Sequence, residues 1–359
     1  MARILVGFSG GVDSAVAAHL LREAGHEVAA VTLRLLPSDA TVSPAVAAER
    51  LSTAQRLARR MGFEHEVWDL AAEFEREVIA PFVETYAAGR TPNPCVLCNA
   101  HIKLGAYLAR AQAGGWERIA TGHYVRKVPL PPGAAGPVGL ACARDREKDQ
   151  AYMLWAVDPL VLPLVEFPLG MRTKEEVLEI AGEIGIAAEI APESQDLCFI
   201  GEGGYTGFLS RRLRPEHPGW QAGALVDQQG RALGRHRGCL HYTVGQRRGL
   251  GIGSPTGEPL YVTAIDPASQ RVAVGTASAL ERRAVEATAC RCFVPGLLAP
   301  GNHLMARIRY RQAARPGEVT SVREEAVRFR FDEPVRGVAA GQSLVLFHED
   351  LLIAGGFLV

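Results

Sequence analysis

A glycine-rich stretch near the start of the chain has the residue types of a phosphate-binding turn. The run Gly7-Phe8-Ser9-Gly10-Gly11-Val12-Asp13-Ser14 follows a short apolar segment and opens a helical pattern. Adjacent glycines let phosphate oxygens approach backbone N–H groups, and serine hydroxyls and a helix N-terminus also favour an anion. A tight turn without a ligand is the structural alternative, but strand, turn and helix together favour a polyphosphate. Asp13 is a candidate for organising Mg²⁺, or else a residue that only favours the helix N-terminus.

Three cysteines lie in two further stretches whose residue types suit a reactive site. Cys95 and Cys98 belong to TPNPCVLCN, where the prolines restrict the backbone, and Cys198 belongs to SQDLCFI. A place near a helix N-terminus is expected to favour the thiolate of Cys98, which is the form that attacks or binds a metal. A core thiol at Cys198 and a structural zinc at Cys95 and Cys98 are the alternatives. Such a zinc usually takes four protein ligands, and no obvious second pair exists among Cys142, Cys239, Cys290 and Cys292.

The elements that must position these residues alternate between strand and helix in the first part of the chain. Their patterns predict strands at 3–8, 28–35, 66–70 and 118–122 and helices at 13–24, 44–60, 102–113 and 174–184. Ser43 is the expected N-cap of the second helix, and Thr173 with Glu176 forms a capping box before the last. Strands that alternate with helices predict an α/β fold, a Rossmann-like parallel sheet covered by helices on both faces.

The pattern changes after about residue 210, where short alternating segments are separated by glycine and proline. These segments predict strands at 260–265, 271–274, 304–310, 326–331 and 343–347. Their spacing is typical of a small β-sandwich or β-barrel. We therefore predict three domains, which are a nucleotide-binding catalytic domain at 1–205, a small central domain at 206–282 and a C-terminal β-barrel at 283–359.

The composition is that of a globular protein, with 48% hydrophobic residues, 22% charged residues and a formal net charge of zero. No stretch approaches the roughly 18 apolar residues of a membrane span. The first residues lack the features of a signal peptide, so we expect a cytoplasmic protein with no membrane partner. Arginine is concentrated in two clusters that suit phosphate binding, although a solvated basic face is the alternative. The clusters are Arg211, Arg212, Arg214, Arg231, Arg235, Arg237, Arg247 and Arg248, and then Arg307, Arg309, Arg311 and Arg315.

The turn lacks the GxxxxGK[ST] and GxGxxG spacings and resembles the SGGxDS loop of the PP-loop ATP pyrophosphatases, which cleave ATP between the α- and β-phosphates. Further motifs occur in the order seen in bacterial tRNA-specific 2-thiouridylases, and they span nearly the whole chain. They are SGGVDS, GRTPNPCVLCN, ATGHY, KDQAYML, SQDLCFIG, HYTVGQRRGLGI and RYRQ. The resemblance implies a PP-loop domain, a small central domain that contacts tRNA, and a C-terminal β-barrel. It also implies adenylation of the C2 oxygen of a wobble uridine in tRNA, followed by attack of sulfur and release of AMP.

The same resemblance assigns roles to single residues. Cys98 matches the nucleophile and Cys198 the persulfide carrier, with sulfur supplied by a donor protein or by sulfide. ATP, with Mg²⁺, is expected to contact Gly7, Phe8, Ser9, Gly10, Gly11, Val12, Asp13, Ser14, Leu33 and Gly122. The target base is expected to lie among Asn93, Pro94 and Cys95. Further tRNA contacts are expected from His123, Lys148, Asp149, Gln150, Arg309, Tyr310 and Gln342.

One residue departs from the more familiar pattern of that family, because Cys95 stands where the pattern has aspartate. Three thiolates can hold a [4Fe–4S] cluster with one iron open to a sulfide. We favour such a cluster on Cys95, Cys98 and Cys198, since the third thiol otherwise lacks a role. The alternative keeps a persulfide on Cys198 and has Cys98 release the sulfur by forming a disulfide.

Two other functions are weighed against thiolation. One is a different PP-loop reaction, such as that of an amidotransferase, a synthetase of small metabolites or a tRNA lysidine synthetase, none of which needs the three cysteines. The other is an RNA-binding protein without catalysis, which the intact Ser9, Asp13 and Ser14 disfavour.

Overall fold

The structure is a computed structural model that describes residues 1–36, 42–187, 197–253 and 257–359. Its strands are β1 (Arg3–Gly7), β2 (Glu27–Arg34), β3 (His65–Asp69), β4 (Arg118–Ala120), β5 (Val125–Pro129), β6 (Val138–Cys142), β7 (Val165–Glu166), β8 (Gly223–Val226), β9 (Ala232–His236), β10 (Tyr261–Asp266), β11 (Arg271–Gly275), β12 (Glu281–Cys292), β13 (His303–Arg307), β14 (Arg315–Arg323), β15 (Ala326–Arg336), β16 (Ser343–His348) and β17 (Leu351–Leu358). Its α-helices are α1 (Val12–Glu23), α2 (Pro44–Arg60), α3 (Ala71–Phe74), α4 (Ala80–Ala87), α5 (Pro94–Leu97), α6 (Tyr107–Ala113), α7 (Lys174–Glu183) and α8 (Gly204–Arg212). Two π-helical stretches, Glu75–Ile79 and Cys98–Ala106, join α3 to α4 and α5 to α6.

The first sheet is parallel, with strand order β3-β2-β1-β4-β7. Side chains on the two faces of β1 enter different cores. Ile4 and Val6 pack with α1, α2 and α7, and Leu5 packs with α6 on the opposite face. The predicted parallel α/β fold is therefore confirmed, and the Thr173 capping box is present with both of its hydrogen bonds. None of the helices within the described ranges is both long and apolar enough to cross a membrane.

The second sheet has four strands in the order β10-β11-β8-β9 and belongs to the central part of the chain. β8 and β11 run parallel, whereas the two outer pairs are antiparallel. Its small core contains Leu225, Val262, Val272 and Val274, all at most 1% exposed. Tyr242 of the HYTVGQ motif also lies in this core, which leaves its ring little surface for stacking on a base.

The C-terminal strands form a closed barrel of six antiparallel strands in the order β12-β15-β14-β13-β16-β17, closed by pairing of β17 with β12. Alternation along β15 places Val327, Phe329 and Phe331 inside while Arg328 and Arg330 face solvent. The predicted C-terminal β-barrel is confirmed. Strands β12, β14 and β17 were not among the predicted strands.

A hairpin of the first part of the chain extends the sheet of this barrel. Strands β5 and β6 pair with each other, and β6 pairs with β17 at Ala141 and Leu351. Arg126 of β5 donates a hydrogen bond of 2.8 Å to Asp350 in the β16–β17 turn. Residues 130–137 form the turn of this hairpin, whose two strands the sequence analysis did not predict.

A buried ion pair also joins the first part of the chain to the barrel. The Arg307 guanidinium lies 2.7 Å from the Asp149 carboxylate, and the two side chains are 15% and 1% exposed. Asp149 also accepts hydrogen bonds from the backbone N–H groups of Ala143 and Ala151, at 2.9 and 3.3 Å. Arg307 lies over the ring of Phe347. The carboxylate that was predicted to contact tRNA is thus occupied within the protein, and its contact with tRNA stays a prediction.

We predict that Asp149→Ala lowers the free energy of unfolding by about 3–5 kcal/mol, because it leaves the Arg307 charge buried without a partner. The matched control is Glu281→Ala, which breaks a surface pair with Arg336 whose side chains are 35% and 61% exposed and costs about 0–1 kcal/mol. Thermal and urea unfolding measure both changes. Equal stability of the two variants would show that the buried pair does not hold the barrel to the catalytic part.

Candidate active site

The glycine-rich turn joins β1 to α1 at the carboxyl edge of the parallel sheet. Gly10 has φ +80°, and a Cβ there would lie 3.0 Å from the backbone nitrogen of Ala54 in α2, so glycine is required for both reasons. The Ser14 hydroxyl donates to the Gly11 carbonyl at 2.9 Å and accepts from the Ser9 N–H at 3.2 Å, which holds the turn closed. Helix α1 begins without a side-chain cap, so its first N–H groups are available to an anion.

A second glycine closes the other side of this turn. A Cβ at Gly122, which follows β4, would lie 2.8 Å from the Asp13 carbonyl carbon and 2.9 Å from the Ser14 nitrogen. Strands β2 and β4 flank β1 on opposite sides, so the turn lies at the point where the strand order reverses. Open α/β sheets bind their ligands in the crevice at such a point.

The crevice contains a cavity of about 290 Å³. Seven of the predicted ATP contacts line it, namely Gly7, Phe8, Ser9, Asp13, Ser14, Leu33 and Gly122. The predicted ATP contacts Gly10, Gly11 and Val12 are not part of its lining. The lining also includes residues that were not predicted to contact ATP, namely Leu35, Lys103, Tyr107, Thr121, His123 and Gln150. A second cavity, of about 400 Å³, is lined by residues within 247–252 and 257–260 of the central part, and this described lining has no cysteine, histidine or serine nucleophile. The cavity of about 290 Å³ is therefore the candidate active site, because its lining contains the phosphate turn and ionisable side chains such as Asp13 and Lys103.

Asp13 is held by two hydrogen bonds at the edge of the cavity. Its Oδ1 accepts from the Tyr124 hydroxyl and from the Lys174 ammonium, each at 2.7 Å. Both bonds use Oδ1, and the described residues give Oδ2 no hydrogen bond of its own. Oδ2 is the kind of hard oxygen ligand that Mg²⁺ prefers, so this carboxylate fits the ion that ATP chemistry needs.

The loop before the first cysteine is held by the C-terminal barrel. The Thr91 N–H donates to the Ala340 carbonyl at 2.8 Å, and the Gln342 amide donates to the Pro92 carbonyl at 2.9 Å. Asn93, which is 8% exposed, donates to the Ser343 hydroxyl at 3.3 Å. Gln342 was predicted to contact tRNA. In the structure it fixes the loop that is predicted to surround the target base.

The cysteine site consists of Cys95, Cys98 and Cys198, which influence one another electrostatically. Burial raises the pKa of Cys98 to about 12, and the charge of Lys103 opposes this rise only in part. The helix begins at Pro94, a full turn before Cys98. The expectation that a helix N-terminus favours the Cys98 thiolate is therefore wrong. Cys95 and Cys198 have exposed surface, although the protein around each still raises its thiol pKa.

An aromatic cluster anchors the residue that follows Cys198. Phe199 is 2% exposed, and its ring contacts the rings of Phe82 at 5.0 Å, Phe208 at 5.2 Å and Phe74 at 5.9 Å between centroids. These rings come from α3, α4 and α8. Because the anchor and the cysteine are adjacent in sequence, this packing holds the Cys198 backbone beside the cysteine helix while Cys198 itself remains an exposed residue.

Two of the predicted tRNA contacts are part of the cavity wall. His123 is 7% exposed and its Nδ1 lies 2.8 Å from the Thr121 hydroxyl. Burial, together with the Lys103 charge, lowers its pKa well below the usual range, so the imidazole is neutral. The Gln150 side chain accepts from the Tyr124 N–H at 2.9 Å.

The other predicted tRNA contacts lie outside the cavity. The Arg309 guanidinium donates to the Gly337 carbonyl at 3.1 Å and lies against Gly245 of the central part. The half-buried ring of Tyr310 tilts against Tyr152, 6.2 Å between centroids. The backbone N–H of Lys148 donates to Asp145 at 3.2 Å. Arg309 and Tyr310 thus contact distant parts of the chain, whereas the Lys148 contact is local, and the contacts of all three with tRNA stay predictions.

Within residues 1–36, 42–187, 197–253 and 257–359, no three His, Cys, Asp or Glu side chains are close enough together to hold a metal ion. Cys95, Cys98 and Cys198 therefore do not form a ligand set in this arrangement. The residues present do not fit a [4Fe–4S] cluster as they stand, and we derive no step through one.

Sequence reasoning missed Lys103, Thr121 and Lys174. Thr121 belongs to the quoted ATGHY motif, so its place beside His123 could have been noticed. Lys174 follows the capping residue Thr173 and reaches Asp13 only through the tertiary fold. Lys103 lies five residues after Cys98, a spacing that separates the two on an ordinary α-helix. Its relation to the cysteines depends on the π-helical stretch.

Comparison with known proteins agrees with this fold and site. Family models match at residues 2–202 (tRNA methyl transferase HUP domain), 207–276 (tRNA methyl transferase PRC-barrel domain) and 300–358 (aminomethyltransferase beta-barrel domain). The tRNA-specific 2-thiouridylase MnmA of Roseiflexus castenholzii is 42% identical over 373 residues, covering 99% of each chain. That of Moorella thermoacetica is 40% identical over 356 residues, covering 98% of each chain.

A remote structural likeness is a 4-thiouridine synthetase–RNA complex with bound ATP, at 18% identity, 55% coverage of this chain, 45% of that chain and a TM-score of 0.34. It is too weak to support an argument.

The fold and the cavity define a nucleotide-binding PP-loop protein with a cysteine site. The full-length relatives then identify the chain as a member of the tRNA-specific 2-thiouridylase family, which confirms the resemblance seen in its motifs.

We predict that Gly122→Ala weakens ATP binding by about tenfold or more, because making room for the methyl group costs about 1–3 kcal/mol of strain in the turn. The control is Gly182→Ala in α7, where a Cβ meets nothing within 4 Å and ATP affinity should not change. Calorimetric titration with Mg–ATP measures both. Unchanged affinity in Gly122→Ala, with a normal unfolding temperature, would place the nucleotide elsewhere.

Proposed function

We propose that this chain is an ATP-dependent tRNA 2-thiouridine synthase. It adenylates the C2 oxygen of the wobble uridine and replaces that oxygen by sulfur, in the cytoplasm where tRNA is modified. The observation that carries the proposal is the helical run Pro94–Ala113. It starts beside the target-base loop, bears Cys98, and forms a wall of the nucleotide cavity through Lys103 and Tyr107.

Adenylation needs a site that binds polyphosphate and stabilises a leaving group. The uridine O2 attacks the α-phosphorus of ATP, the α–β bridging bond breaks, and pyrophosphate leaves. The N–H groups of the turn and the hydroxyls of Ser9 and Ser14 bind the phosphates, and Leu33 lies on the nucleoside side. Asp13 would hold Mg²⁺, which supplies positive charge to the departing pyrophosphate.

The tRNA is positioned by loops that the barrel and the central part hold. Asn93, Pro94 and Cys95 lie where an extruded base would enter, and the barrel fixes this loop through Gln342 and Ser343. Exposed arginines such as Arg247 and Arg248 bind the phosphate backbone without reading sequence, so affinity should fall with salt. Removing the base from its stack exposes its C2 atom to the cavity.

Sulfur reaches C2 by a route that needs two of the cysteines. A persulfide-carrying donor protein transfers its terminal sulfur to Cys198, which is an exposed residue. The Cys98 thiolate attacks the Sγ of this persulfide, the S–S bond breaks, and hydrosulfide leaves as a Cys98–Cys198 disulfide forms. Hydrosulfide adds to C2 and AMP leaves, which gives 2-thiouridine. A thiol reductant then returns the disulfide to two thiols.

A second candidate for the sulfur step is a [4Fe–4S] cluster with Cys95, Cys98 and Cys198 as ligands. The feature that favours it is Cys95, since the persulfide route gives this thiol no role. Against it, no three His, Cys, Asp or Glu side chains of the described residues are grouped closely enough to hold a metal ion. Iron and acid-labile sulfide in protein purified without oxygen distinguish the two.

We predict that Cys98→Ser and Cys198→Ser each lower the rate of tRNA thiolation by about 10³-fold or more, since each removes an obligatory sulfur atom. Both variants should still release pyrophosphate with ATP and tRNA, because the phosphate turn is intact. Nucleoside mass spectrometry of the tRNA and a pyrophosphate assay measure the two steps.

The Cys95→Ala variant distinguishes the two sulfur routes. Cys292→Ser in β12 is the control, which should retain both tRNA thiolation and pyrophosphate release. Loss of thiolation with Cys95→Ala and about one cluster per chain in the unmodified protein would reject the persulfide route. Thiolation by Cys98→Ser at the normal rate would reject both routes. Absence of ATP cleavage in the unmodified protein with tRNA would reject the proposed function.

A further inference from the structure

Lys174 places an ammonium group against the phosphate turn, although it lies 161 residues further along the chain than Asp13. Its Nζ lies 2.7 Å from Oδ1 of Asp13, whose side chain lines the nucleotide cavity. The two side chains are 19% and 25% exposed, so water and salt screen this pair only in part. Adenylation, as proposed, involves Asp13 but gives Lys174 no part.

The backbone at Lys174 is fixed from two sides. The capping box of Thr173 and Glu176 closes the start of α7, and the Lys174 N–H donates to the Asp145 carboxylate at 2.9 Å. Helix α7 packs against α1, and its Val177 belongs to the same buried core as the apolar face of α1. The first residue of α7 is therefore held beside the first turn of α1, and the lysine stem spans the distance between them.

The Lys174 ammonium has more donors than the protein uses. A lysine ammonium has three N–H groups, and within the described part of the chain its hydrogen-bond acceptor is Oδ1 of Asp13. The ring of Tyr124 lies 6.0 Å from Nζ and presents its face to the charge. The remaining N–H groups are therefore available to water or to an anion in the adjoining cavity.

Asp13 is a partner that Lys174 can leave, because the same carboxylate fits Mg²⁺. Tyr124 still donates to Oδ1 at 2.7 Å when the lysine moves away, so the carboxylate keeps a hydrogen bond. A carboxylate that shares its charge with a divalent cation attracts the ammonium less, and the nucleotide brings several negative charges to the turn. Lysine is a point charge on a flexible stem, which suits a change of partner from carboxylate to phosphate.

The cavity has little other positive charge to offer a triphosphate. Among the described residues that line it, Lys103 is the only lysine or arginine, and the imidazole of His123 is neutral. Lys103 belongs to the helix that bears Cys98, whereas Lys174 is attached to the phosphate turn through Asp13. A departing pyrophosphate carries more negative charge than one ammonium offsets, so a second cation at the turn stabilises it further.

We propose that Lys174 is a further substrate-binding residue of the adenylation step, whose ammonium leaves Asp13 and binds the β- and γ-phosphates of ATP. As the uridine O2 bonds to the α-phosphorus, the bond from that phosphorus to the bridging oxygen breaks, and its electron pair stays on the pyrophosphate. Lys174 donates hydrogen bonds to this growing negative charge and transfers no proton. After pyrophosphate leaves, the ammonium returns to Asp13. This inference rests on the proposed function for its reaction, but the binding of phosphates by Lys174 is measurable without tRNA or sulfur.

The test compares ligands with and without the β- and γ-phosphates, in the full chain without tRNA. Lys174→Gln should weaken the binding of Mg–ATP and of Mg–pyrophosphate by about tenfold or more, because it removes hydrogen bonds from a charged donor. Its affinity for AMP should not change. Lys174→Arg keeps the charge and should retain most of the affinity for Mg–ATP. Calorimetric titration measures each affinity.

The matched control is Lys127→Gln, which removes another lysine that is mostly shielded from solvent and lies in an ion pair. Lys127 lies 2.9 Å from Glu166, with side chains 22% and 20% exposed, and it is not part of the described cavity lining. Glu166 keeps Arg118 as a partner at 2.7 Å, so no carboxylate is left unpaired. The affinities of this variant for Mg–ATP, Mg–pyrophosphate and AMP should equal those of the unmodified protein.

A role restricted to neutralising Asp13 gives a different result. Lys174→Gln then frees the carboxylate for Mg²⁺, and the affinity for Mg–ATP stays the same or rises, which would overturn the inference. Equal weakening of ATP and AMP binding would also overturn it, because that result indicates a damaged turn and not a lost phosphate contact.

A crystal structure of the unmodified protein with Mg²⁺ and α,β-methylene-ATP, whose α–β linkage cannot be cleaved, tests the same contact without any variant. The Lys174 Nζ is expected within about 3 Å of a β- or γ-phosphate oxygen. An ammonium that stays on Asp13 and touches no phosphate would contradict the inference. None of these results affects the proposed function, which depends on ATP cleavage and thiolation of tRNA by the unmodified protein.

Discussion

A buried hydrogen bond of 2.6 Å, from the Tyr107 hydroxyl to the Leu5 carbonyl, fixes the cysteine helix to the strand that leads into the phosphate turn. Tyr107 is fully buried, and its ring meets Trp68 edge-on at 6.0 Å. Because the helical run continues without a break from Pro94 to Ala113, this attachment helps to set where Cys98 and Lys103 lie relative to the turn. A phosphate site and a sulfur site separated by some 90 residues of chain thereby share one cavity wall. Without this hydrogen bond, the phosphate turn and the cysteine helix could each form, but the distance between them would no longer be fixed.

The remaining walls of the site come from distant parts of the chain, and each is held by contacts of a different kind. The barrel holds the loop at 91–93 through backbone and amide hydrogen bonds, whereas an aromatic cluster around Phe199 holds the Cys198 loop. Apolar packing tolerates small shifts, while hydrogen bonds fix direction. The loop that would receive the base is therefore oriented by directional contacts, and the Cys198 loop by apolar packing. Cys198, an exposed residue, retains the accessibility that a sulfur donor requires.

The sequence predicted the parallel sheet, the capping box at Thr173, the phosphate turn and the C-terminal barrel, because each depends on local periodicity or on turn residues. It did not predict β5 and β6, since their role is to extend a sheet whose other strands lie far along the chain. The protonated state of Cys98 was also missed, because burial is a property of the tertiary structure and outweighs the place of a residue near a helix start. The relation of Lys103 to Cys98 depends on π-helical winding, for which no sequence signal was recognised. Side-chain partners such as Asp149 and Arg307 likewise appear only when the domains are packed together.

The hairpin β5–β6 has a consequence for how such a chain can change over time. Its strands are encoded within the first part of the chain but extend, through the pairing of Ala141 with Leu351, a sheet encoded near the opposite end. A recombination event that exchanged the barrel alone would leave a hairpin edge unpaired and an arginine without its aspartate. The three parts therefore do not behave as interchangeable modules. A mutation in one part is tolerated only if the contacts with the other parts are kept, so the three parts are constrained to diverge together.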